Sequence, residues 1–334
     1  MWIYEVDGQF IEPIRADVLG SWAGERYSAM IKLDQKPQDY PLRVADTGFT
    51  QILGGYAILR YENTEEISAI QNEPFLSYRG DATIPSLAFN GELLNNASKL
   101  DKHQIHPFPA SDRALKPASH ADVQHIFHMS RVNISWKTSI QFPYLYPPDH
   151  NAYAPLLYNP NTTEGYDMRY VIRHNNGTWV DLVLQLGEYP RWFKDLLHPM
   201  HKHGNKFFLI GGGNGTYNFS SVSEAIAADP SNFNLENPPL RDTVAGGFRN
   251  VSWVVIRYQV VEPGAWLFHC HVETHLAAGM AMAILDGVDV WPVIPPEYAS
   301  GQHGLPVSFW QRPSHFQIPL VISKLQKMWR RFLN

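Results

Sequence analysis

The chain has 334 residues, of which 44% are hydrophobic and only 18% are charged. That length is enough for one or two domains with substantial cores. The net charge of -5 argues against nucleic acid as a partner. No apolar run approaches the length that crosses a bilayer, so we expect no transmembrane segment.

Alternation of apolar and polar residues, the pattern of antiparallel strands, begins in the amino-terminal part of the chain. From residue 62 to residue 117 this pattern is lost, and Asn, Asp, Ser and Pro become frequent. Such a composition predicts an interdomain linker, with a short helix near Asn90–Leu100. The strands predicted before it are Tyr27–Leu33, Tyr40–Ala45 and, after a turn at Gly54-Gly55, Tyr56–Tyr61.

Strand patterns return after the linker and continue to about residue 285. Five prolines between Pro143 and Asn161 predict a loop in this part of the chain. Two packed antiparallel sheets with loops at their ends explain the pattern, so the sequence predicts a β-sandwich. The predicted strands lie within residues 122–142, including Val132–Trp136, and at Trp179–Gln185, Lys206–Gly211, Val251–Val261 and Met280–Leu285.

Histidines dominate a short motif at residues 198–204, which reads H-P-M-H-K-H-G. On an extended backbone alternate side chains share a face, so His201 and His203 point the same way. His198 precedes a proline and is free to point elsewhere. A single histidine is usually a satisfied or exposed polar residue, but three within six positions favour a metal site.

The only cysteine of the chain, Cys270, lies in a second motif at residues 266–280. In an extended strand Cys270 faces one way while His269 and His271 face the other. A free cysteine is commonly a small buried hydrophobe, and that interpretation would be preferred for this residue alone. One sulfur, three imidazoles and a thioether within fifteen residues instead indicate a set of copper ligands.

Together the two motifs predict two metal centres that share one strand. A thiolate with imidazoles and a long axial thioether is typical of the blue electron-transfer copper site. The other centre is a patch of histidines alone. The simplest division gives His198, Cys270, His275 and Met280 to the first centre and His201, His203, His269 and His271 to the second.

Both motifs resemble those of the third domain of the multicopper oxidases, the family of laccases, ascorbate oxidases and ferroxidases. The first fits the pattern H-P-x-H-x-H-G, and the second fits H-C-H-x-x-x-H followed by an axial position. The resemblance implies an all-β, cupredoxin-like Greek-key β-sandwich. It also implies copper as cofactor, with type 1 copper bound by His198, Cys270, His275 and Met280, type 2 copper by His201, and the type 3 pair by His203, His269 and His271.

The resemblance extends beyond the motifs, from Met1–Gly8 through Pro239–Val244 to about Pro296, and is to fungal laccase-like enzymes. It implies four segments. Residues 1–70 are a partial cupredoxin domain from the end of a second domain, 71–117 a linker, 118–296 the copper-binding third domain and 297–334 a carboxy-terminal tail. A terminal helix that packs or frays explains the basic amphipathic tail better than a membrane-surface helix does.

A full trinuclear cluster in this family uses eight histidines, four of them from two H-x-H pairs in the first domain. The other histidines of this sequence form no further H-x-H pair. We therefore expect the first domain to be absent from these residues and the cluster to be half present, so that the missing half either comes from a different polypeptide or is absent altogether. A chain without that half would be a truncated product.

In the family, electrons from the substrate enter at type 1 copper, and dioxygen becomes water at the trinuclear cluster. The resemblance thus implies a laccase-like enzyme that oxidises phenols, diphenols or other reducing small molecules by single electrons. The alternatives are a non-catalytic copper-binding or electron-transfer fragment, and a ferroxidase.

Glu273 lies three residues after Cys270, where members of the family carry an Asp or Glu that is thought to assist proton delivery to bound oxygen. A solvated loop carboxylate is an almost equal alternative. The remaining histidines are expected to be solvated or to lie at the edge of a core. His125 and His128 could share a helical face, but this spacing alone is weak evidence for a metal.

Seven N-x-S/T sequons occur in the chain, where chance would give only about two. This excess predicts a glycoprotein and a secreted or cell-wall location for the parent enzyme. Residues 1–7 have neither the basic nor the apolar region of a signal peptide, so we expect none in this chain. The sequons begin at Asn96, Asn133, Asn161, Asn176, Asn214, Asn218 and Asn250.

Overall fold

Strands form most of the regular structure in the computed structural model, which describes residues 1–37, 39–46, 54–61, 86–88, 90–108, 116–132, 135–137, 156–158, 160, 171–186, 198–246 and 251–296. The chain divides into two compact units, one of residues 1–145 and 167–291 and one of residues 146–166 and 292–334. The predicted tail, residues 297–334, lies outside the described residues. No helix in the described ranges is long and apolar enough to cross a membrane.

A small antiparallel sheet forms at the amino terminus from β1 (Trp2–Val6), β2 (Gln9–Arg15) and β3 (Tyr27–Met30), in the order β2-β1-β3. Asp7 and Gly8 join β1 to β2 with φ angles of 49° and 81°. Positive φ at both residues suits a two-residue hairpin, because the turn then matches the twist of the strands. The sheet has its own core, formed by Ile3, Val6, Ile11, Ala16, Leu100 and Ile105.

Two of the strands predicted in this region have different ends. The strand predicted to reach Leu33 ends at Met30, because Met30 pairs with Trp2, the first residue of β1, and β1 offers no partner beyond it. A separate hairpin pairs β4 (Asp39–Ala45) with β5 (Gly54–Arg60). The predicted turn at Gly54-Gly55 is therefore wrong, since both glycines are extended and pair with the end of β4.

The helix predicted near Asn90–Leu100 is also wrong. Asn95 and Asn96 have φ angles of 53° and 55°, which lie in the left-handed region where a right-handed helix cannot continue. Ser98 instead exchanges hydrogen bonds with Asp17, and its backbone N–H donates to the Asp17 carboxylate at 2.9 Å. The stretch Asn90–Leu100 is therefore an irregular segment, which hydrogen bonds attach to the residue two positions after β2, Asp17.

The rest of the first unit is a sandwich of two sheets. In chain order its strands are β6 (Val123–Val132), β7 (Ser135–Lys137), β8 (Val171–His174), β9 (Trp179–Leu186), β10 (His198–Lys202), β11 (Phe207–Asn214), β12 (Leu240–Arg241), β13 (Thr243–Gly246), β14 (Ser252–Gln259), β15 (Gly264–Cys270) and β16 (Ala281–Asp286). The α-helices within the described part of the chain are α1 (Val222–Ala228) and α2 (Glu273–Ala277). One sheet has the order β13-β10-β15-β16-β8 and the other β12-β11-β14-β9-β6-β7.

The all-β sandwich predicted from the sequence is confirmed, but its sheets are not purely antiparallel. β6 pairs in parallel with β9, and β8 with β16. The chain crosses between the sheets after β7, β8, β9, β10, β12, β13 and β14, so neighbours in a sheet are often distant in sequence. The predicted strand Val132–Trp136 is divided between β6 and β7, whose register pairs Val132 with Ser135.

The main core lies between the two sheets and includes Met200, Cys270 and Met280. Alternation along β9 sends Leu182 and its even-numbered neighbours into this core and sends Val183 to a second cluster. That second cluster contains apolar residues of α1. The six-stranded sheet is therefore covered on both faces.

A fully buried ion pair lies within the sandwich. The Lys202 ammonium donates to the Asp286 carboxylate at 3.0 Å, and the Asn205 amide donates to the same oxygen at 3.0 Å. The other carboxylate oxygen lies 3.0 Å from Nδ1 of His174 and accepts from the Tyr258 hydroxyl at 3.2 Å. Because every group is hydrogen-bonded, the network satisfies charges that would otherwise be costly to bury.

We expect Asp286→Asn to lower the free energy of unfolding of the metal-free protein by about 3–5 kcal/mol, because it leaves the Lys202 charge buried and uncompensated. Asp34→Asn is the matched control. The Asp34 carboxylate pairs with Lys32 at 3.0 Å, but its side chain is 43% exposed, so solvent screens the pair and its loss should change the stability far less. Urea unfolding followed by circular dichroism gives both values, and equal losses would contradict the account.

Candidate metal centres

Three buried side chains from β10, β15 and α2 meet at one point of the sandwich. Nδ1 of His198 lies 3.8 Å from Sγ of Cys270, and Nδ1 of His275 lies 3.5 Å from it. All three ligand atoms lie within 4.8 Å of one another. We call this group the thiolate site.

Strand pairing and one short loop bring these residues together. β10 and β15 are antiparallel neighbours, with Met200 opposite Cys270. After Cys270 the chain enters α2 and then returns, because the Cys270 N–H donates to the Met280 carbonyl and the Met280 N–H donates to the His275 carbonyl, each at 3.0 Å. The loop therefore returns Met280 to the buried cluster that contains Cys270.

The ligands of the thiolate site fit copper. Metal bonds of about 2.3 Å to sulfur and 2.0 Å to nitrogen, the lengths found for zinc, place the two atoms about 3.7 Å apart at a trigonal angle. The observed separations of 3.8 and 3.5 Å agree with this value. Two imidazoles and one thiolate are the three strong ligands of a blue copper site, so the site has type 1 composition.

Burial determines the protonation of these ligands. It lowers the pKa of His198 to about 3, with a further contribution from His275. The His198 imidazole is therefore neutral at neutral pH and can bind a metal. Burial also raises the pKa of the Cys270 thiol to about 12. Metal binding must therefore displace the thiol proton.

Four imidazoles lie together on the other face of β10 and β15 and the residues that follow these strands. Nε2 of His203 lies 3.2 Å from Nε2 of His269. Five of the ring pairs have centroids 5.0 to 5.8 Å apart. Burial, and then the neighbouring imidazoles, lower the pKa of His203 to about 4. The group, which we call the imidazole patch, consists of His201, His203, His269 and His271.

Backbone and hydroxyl oxygens orient two rings of the patch. Nδ1 of His201 lies 2.9 Å from the Asp242 carbonyl and 3.0 Å from the Thr243 hydroxyl. Nδ1 of His269 lies 2.9 Å from the Cys270 carbonyl. A carbonyl oxygen can only accept, so Nδ1 carries the proton in both rings and Nε2 remains available for a metal.

The structure thus brings most of the predicted site residues together. His198, Cys270 and His275 form the thiolate site, Met280 is buried in the same core cluster as Cys270, and the four other histidines form the imidazole patch. Glu273 is the first residue of α2, and its side chain is exposed.

Two other histidines have unexpected surroundings. His125 and His128 lie on β6, and residues three apart on a strand face opposite sides, so the shared helical face considered for them is wrong. Nε2 of His125 instead lies 3.0 Å from Nε2 of His174. Burial, and then His174, lower the pKa of His125 to about 4.

The groups that orient the patch lie outside the two histidine motifs. Asp242 and Thr243 lie in the stretch Pro239–Val244, which resembles the family, and that was the available signal for them. Nothing in the sequence indicated that Gly24, in the amino-terminal part of the chain, would lie against the ring of His271.

Two multicopper oxidase family models match the chain, one over residues 122–289 and one over residues 1–64. The first match covers half of the chain and contains all the predicted site residues. The chain therefore belongs to the multicopper oxidase family, whose members bind copper.

Several curated fungal relatives have similar sequences. Multicopper oxidase VdtB of Byssochlamys spectabilis is 46% identical over an alignment of 355 positions, gaps included, which covers 99% of this chain and 51% of the relative. Multicopper oxidase GIP1 of Gibberella zeae is 45% identical over 304 residues, which cover 91% of this chain and 43% of the relative. Laccase ustL of Ustilaginoidea virens is 43% identical over 312 residues, which cover 91% and 46%. The chain thus spans about half the length of these relatives.

Solved structures support the fold. The laccase from Botrytis aclada matches with a TM-score of 0.59 and 20% identity, over 90% of this chain and 50% of that one. Fet3p, a multicopper oxidase that functions in iron import, matches with a TM-score of 0.60 and 18% identity, over 90% of this chain and 55% of Fet3p. At such identities the match concerns the fold alone, and it confirms the cupredoxin-like sandwich.

We expect Met280→Leu to raise the reduction potential of copper bound at the thiolate site, because a thioether ligand stabilises the oxidised ion and leucine cannot bind it. Met282→Leu is the matched control, since Met282 is buried in the same core cluster and should leave the potential unchanged. A redox titration of the visible absorption measures both. An unchanged potential in Met280→Leu would remove Met280 from the ligand set.

Copper affinity at the thiolate site should increase about tenfold per pH unit between about pH 7 and 9. Cys270, with a pKa raised to about 12, is protonated across this range, so each binding event releases one proton and a rise in pH favours binding. Competition titrations with a metal buffer at several pH values measure the slope. Cys270→Ser should lose it, and a flat profile in the unsubstituted protein would contradict thiolate binding.

Proposed function

We propose that this chain carries the type 1 copper site and half of the trinuclear copper cluster of a laccase-like multicopper oxidase. Such an enzyme oxidises phenols or diphenols by single electrons and reduces dioxygen to water. The observation that carries the proposal is the arrangement of β15, which presents Cys270 to the thiolate site and His269 to the imidazole patch. Copper supplies the one-electron redox chemistry when bound.

Each group of ligands then has its own role. His198, Cys270, His275 and Met280 would hold type 1 copper in the buried thiolate site, and the burial of the site excludes water. The Cys270–His269 peptide is the covalent link between the two centres, and the 2.9 Å contact from His269 Nδ1 to the Cys270 carbonyl adds a second connection. In the imidazole patch, His201 binds type 2 copper, and His203, His269 and His271 bind the type 3 pair.

The patch supplies four of the eight histidines of a complete cluster. The 334 residues contain only two H-x-H pairs, and both are in the patch. The other four ligands would come from residues outside these 334, in the same polypeptide or in a second one. The proposed partners are therefore a phenolic or other reducing small molecule, dioxygen, and a domain with two further H-x-H pairs.

The names of relatives support phenols over iron as the substrate. Laccase ustL, a curated relative, is 43% identical to this chain over 91% of its length. We therefore prefer a laccase-like activity to a ferroxidase. The half-present cluster favours a second candidate, in which the chain binds copper or transfers electrons without reducing dioxygen.

Glu273 is proposed as a proton relay that would carry protons between solvent and the imidazole patch. Its exposed position at the start of α2 lets it exchange protons with solvent, and it lies two residues after His271. Glu273 also acts on His269. Burial is the main cause that lowers the pKa of the His269 ring, and the charge of Glu273 partly opposes this effect. A carboxylate that is exposed to solvent and acts electrostatically on the patch is suited to general acid catalysis.

A secreted or cell-wall location is proposed for the parent enzyme. A glycan requires an accessible asparagine, and the four sequon asparagines within the described residues are all exposed. Three further sequons, at Asn133, Asn161 and Asn250, lie outside the described residues. The four exposed ones are Asn96, Asn176, Asn214 and Asn218.

Two measurements on copper-loaded protein test the proposed function. The chain alone should show the intense visible absorption of a copper thiolate, and Cys270→Ser should abolish it. A polypeptide that adds two further H-x-H pairs should in addition consume oxygen with a diphenol. Absorption without oxygen consumption by the extended polypeptide would favour the non-catalytic candidate, and absence of the absorption would contradict both.

A further inference from the structure

A turn outside the sandwich contacts the imidazole patch. The turn lies between β2 and β3, where the Glu25 N–H donates to the Trp22 carbonyl at 3.0 Å and the Trp22 N–H donates to the Glu25 carboxylate at 2.9 Å. Gly24 within it has a φ of 88°. A methyl group on Gly24 would lie 2.7 Å from Cδ2 and 3.0 Å from Cγ of His271. The bare backbone of Gly24 therefore packs directly against this imidazole.

The same glycine is connected to a second ring of the patch. The Gly24 carbonyl lies 3.2 Å from the Thr243 hydroxyl, which lies 3.0 Å from Nδ1 of His201. The hydroxyl is also 3.1 Å from the Asp242 carboxylate. The Gly24 carbonyl and the Asp242 carboxylate can only accept hydrogen bonds. The Thr243 hydroxyl therefore donates its proton to one of them and accepts from the His201 Nδ1–H.

Ion pairs hold the turn against the sandwich. Arg26 donates to both carboxylate oxygens of Asp242, at 2.5 and 2.7 Å, and Arg241 donates to Glu25 at 3.2 Å. Burial tends to raise the pKa of Asp242, but hydrogen bonds from Arg26, His201 and Lys206 lower it well below its ordinary value. The Asp242 carboxylate is therefore ionised at neutral pH and forms a bidentate pair with the guanidinium.

We propose that residues 22–26 are a positioning element for the imidazole patch. Gly24 fixes the ring of His271 by direct contact and, through the Thr243 hydroxyl, helps to hold His201 with Nε2 free for a metal. The inference rests on the proposed function in one respect, namely that the patch binds copper. Gly24 and Thr243 are then positioning residues, and groups that orient metal-binding histidines typically change affinity by about 10–100-fold when altered.

Gly24→Ala tests the contact with His271, and Gly215→Ala is its matched control. Gly215 has a similar φ of 84° but no atom within 4 Å of an added methyl group, so it carries the backbone strain without the clash. In metal-free protein labelled with ¹⁵N-histidine, Gly24→Ala should shift the ring resonances of His271, and Gly215→Ala should not. Unchanged His271 resonances in Gly24→Ala, or equal shifts in both variants, would overturn the proposal.

Copper titration gives a second readout. Gly24→Ala should weaken non-blue copper binding at the patch about tenfold or more, whereas Gly215→Ala should stay close to the unsubstituted protein. The visible absorption of the thiolate site should be the same in all three proteins, which verifies the fold. If the patch of the unsubstituted chain binds no copper, that result counts against the proposed function, and the resonances of His271 still decide the positioning role.

Thr243→Val tests the hydroxyl connection, and Thr243→Ser is the conservative variant that should restore it. The valine variant should shift the Nδ1 resonance of His201 and speed the exchange of its proton with water, because one hydrogen-bond acceptor of that proton is lost. Serine should return both toward the original values. A valine variant with unchanged resonance and exchange rate would remove Thr243 and the Gly24 carbonyl from the positioning element.

Discussion

The antiparallel pairing of β10 with β15 is the constraint on which both candidate metal sites depend. Its register places Met200 opposite Cys270 and His201 opposite His269. Because side chains alternate, the thiol enters the core and the imidazoles of the patch occupy the other face. A shift of one residue in this register would exchange the two faces and destroy both sites. One backbone pairing therefore arranges two short motifs, about seventy residues apart, as two adjacent centres.

Charged networks hold this pairing from both sides. On the core side, Lys202 follows His201 in β10 and forms the buried pair with Asp286 of β16. On the patch side, Asp242 lies beside His201 and accepts hydrogen bonds from Arg26 and Lys206. The geometry of the histidines is therefore coupled to the stability of the fold. It is also coupled to the amino-terminal segment, which contributes no predicted ligand.

Short sequence motifs predicted the features that depend on residues close together in the chain. The alternation around Cys270 indicated two centres on one strand, and the three ligands of the thiolate site meet as that pattern requires. Patterns failed where distant residues decide the outcome. The parallel pairing of β8 with β16, the left-handed Asn95 and Asn96 and the contact of Gly24 with His271 depend on tertiary packing that no short window of sequence contains.

The central claim is that one strand joins a thiolate copper site to a second, histidine-only copper site. Anomalous scattering at the copper absorption edge, from crystals of the copper-loaded protein, tests it most directly. We expect one peak bounded by His198, Cys270 and His275 and at least one more within the imidazole patch on the opposite face of β15. Copper found only at surface positions, or a peak at the patch with none beside Cys270, would contradict it.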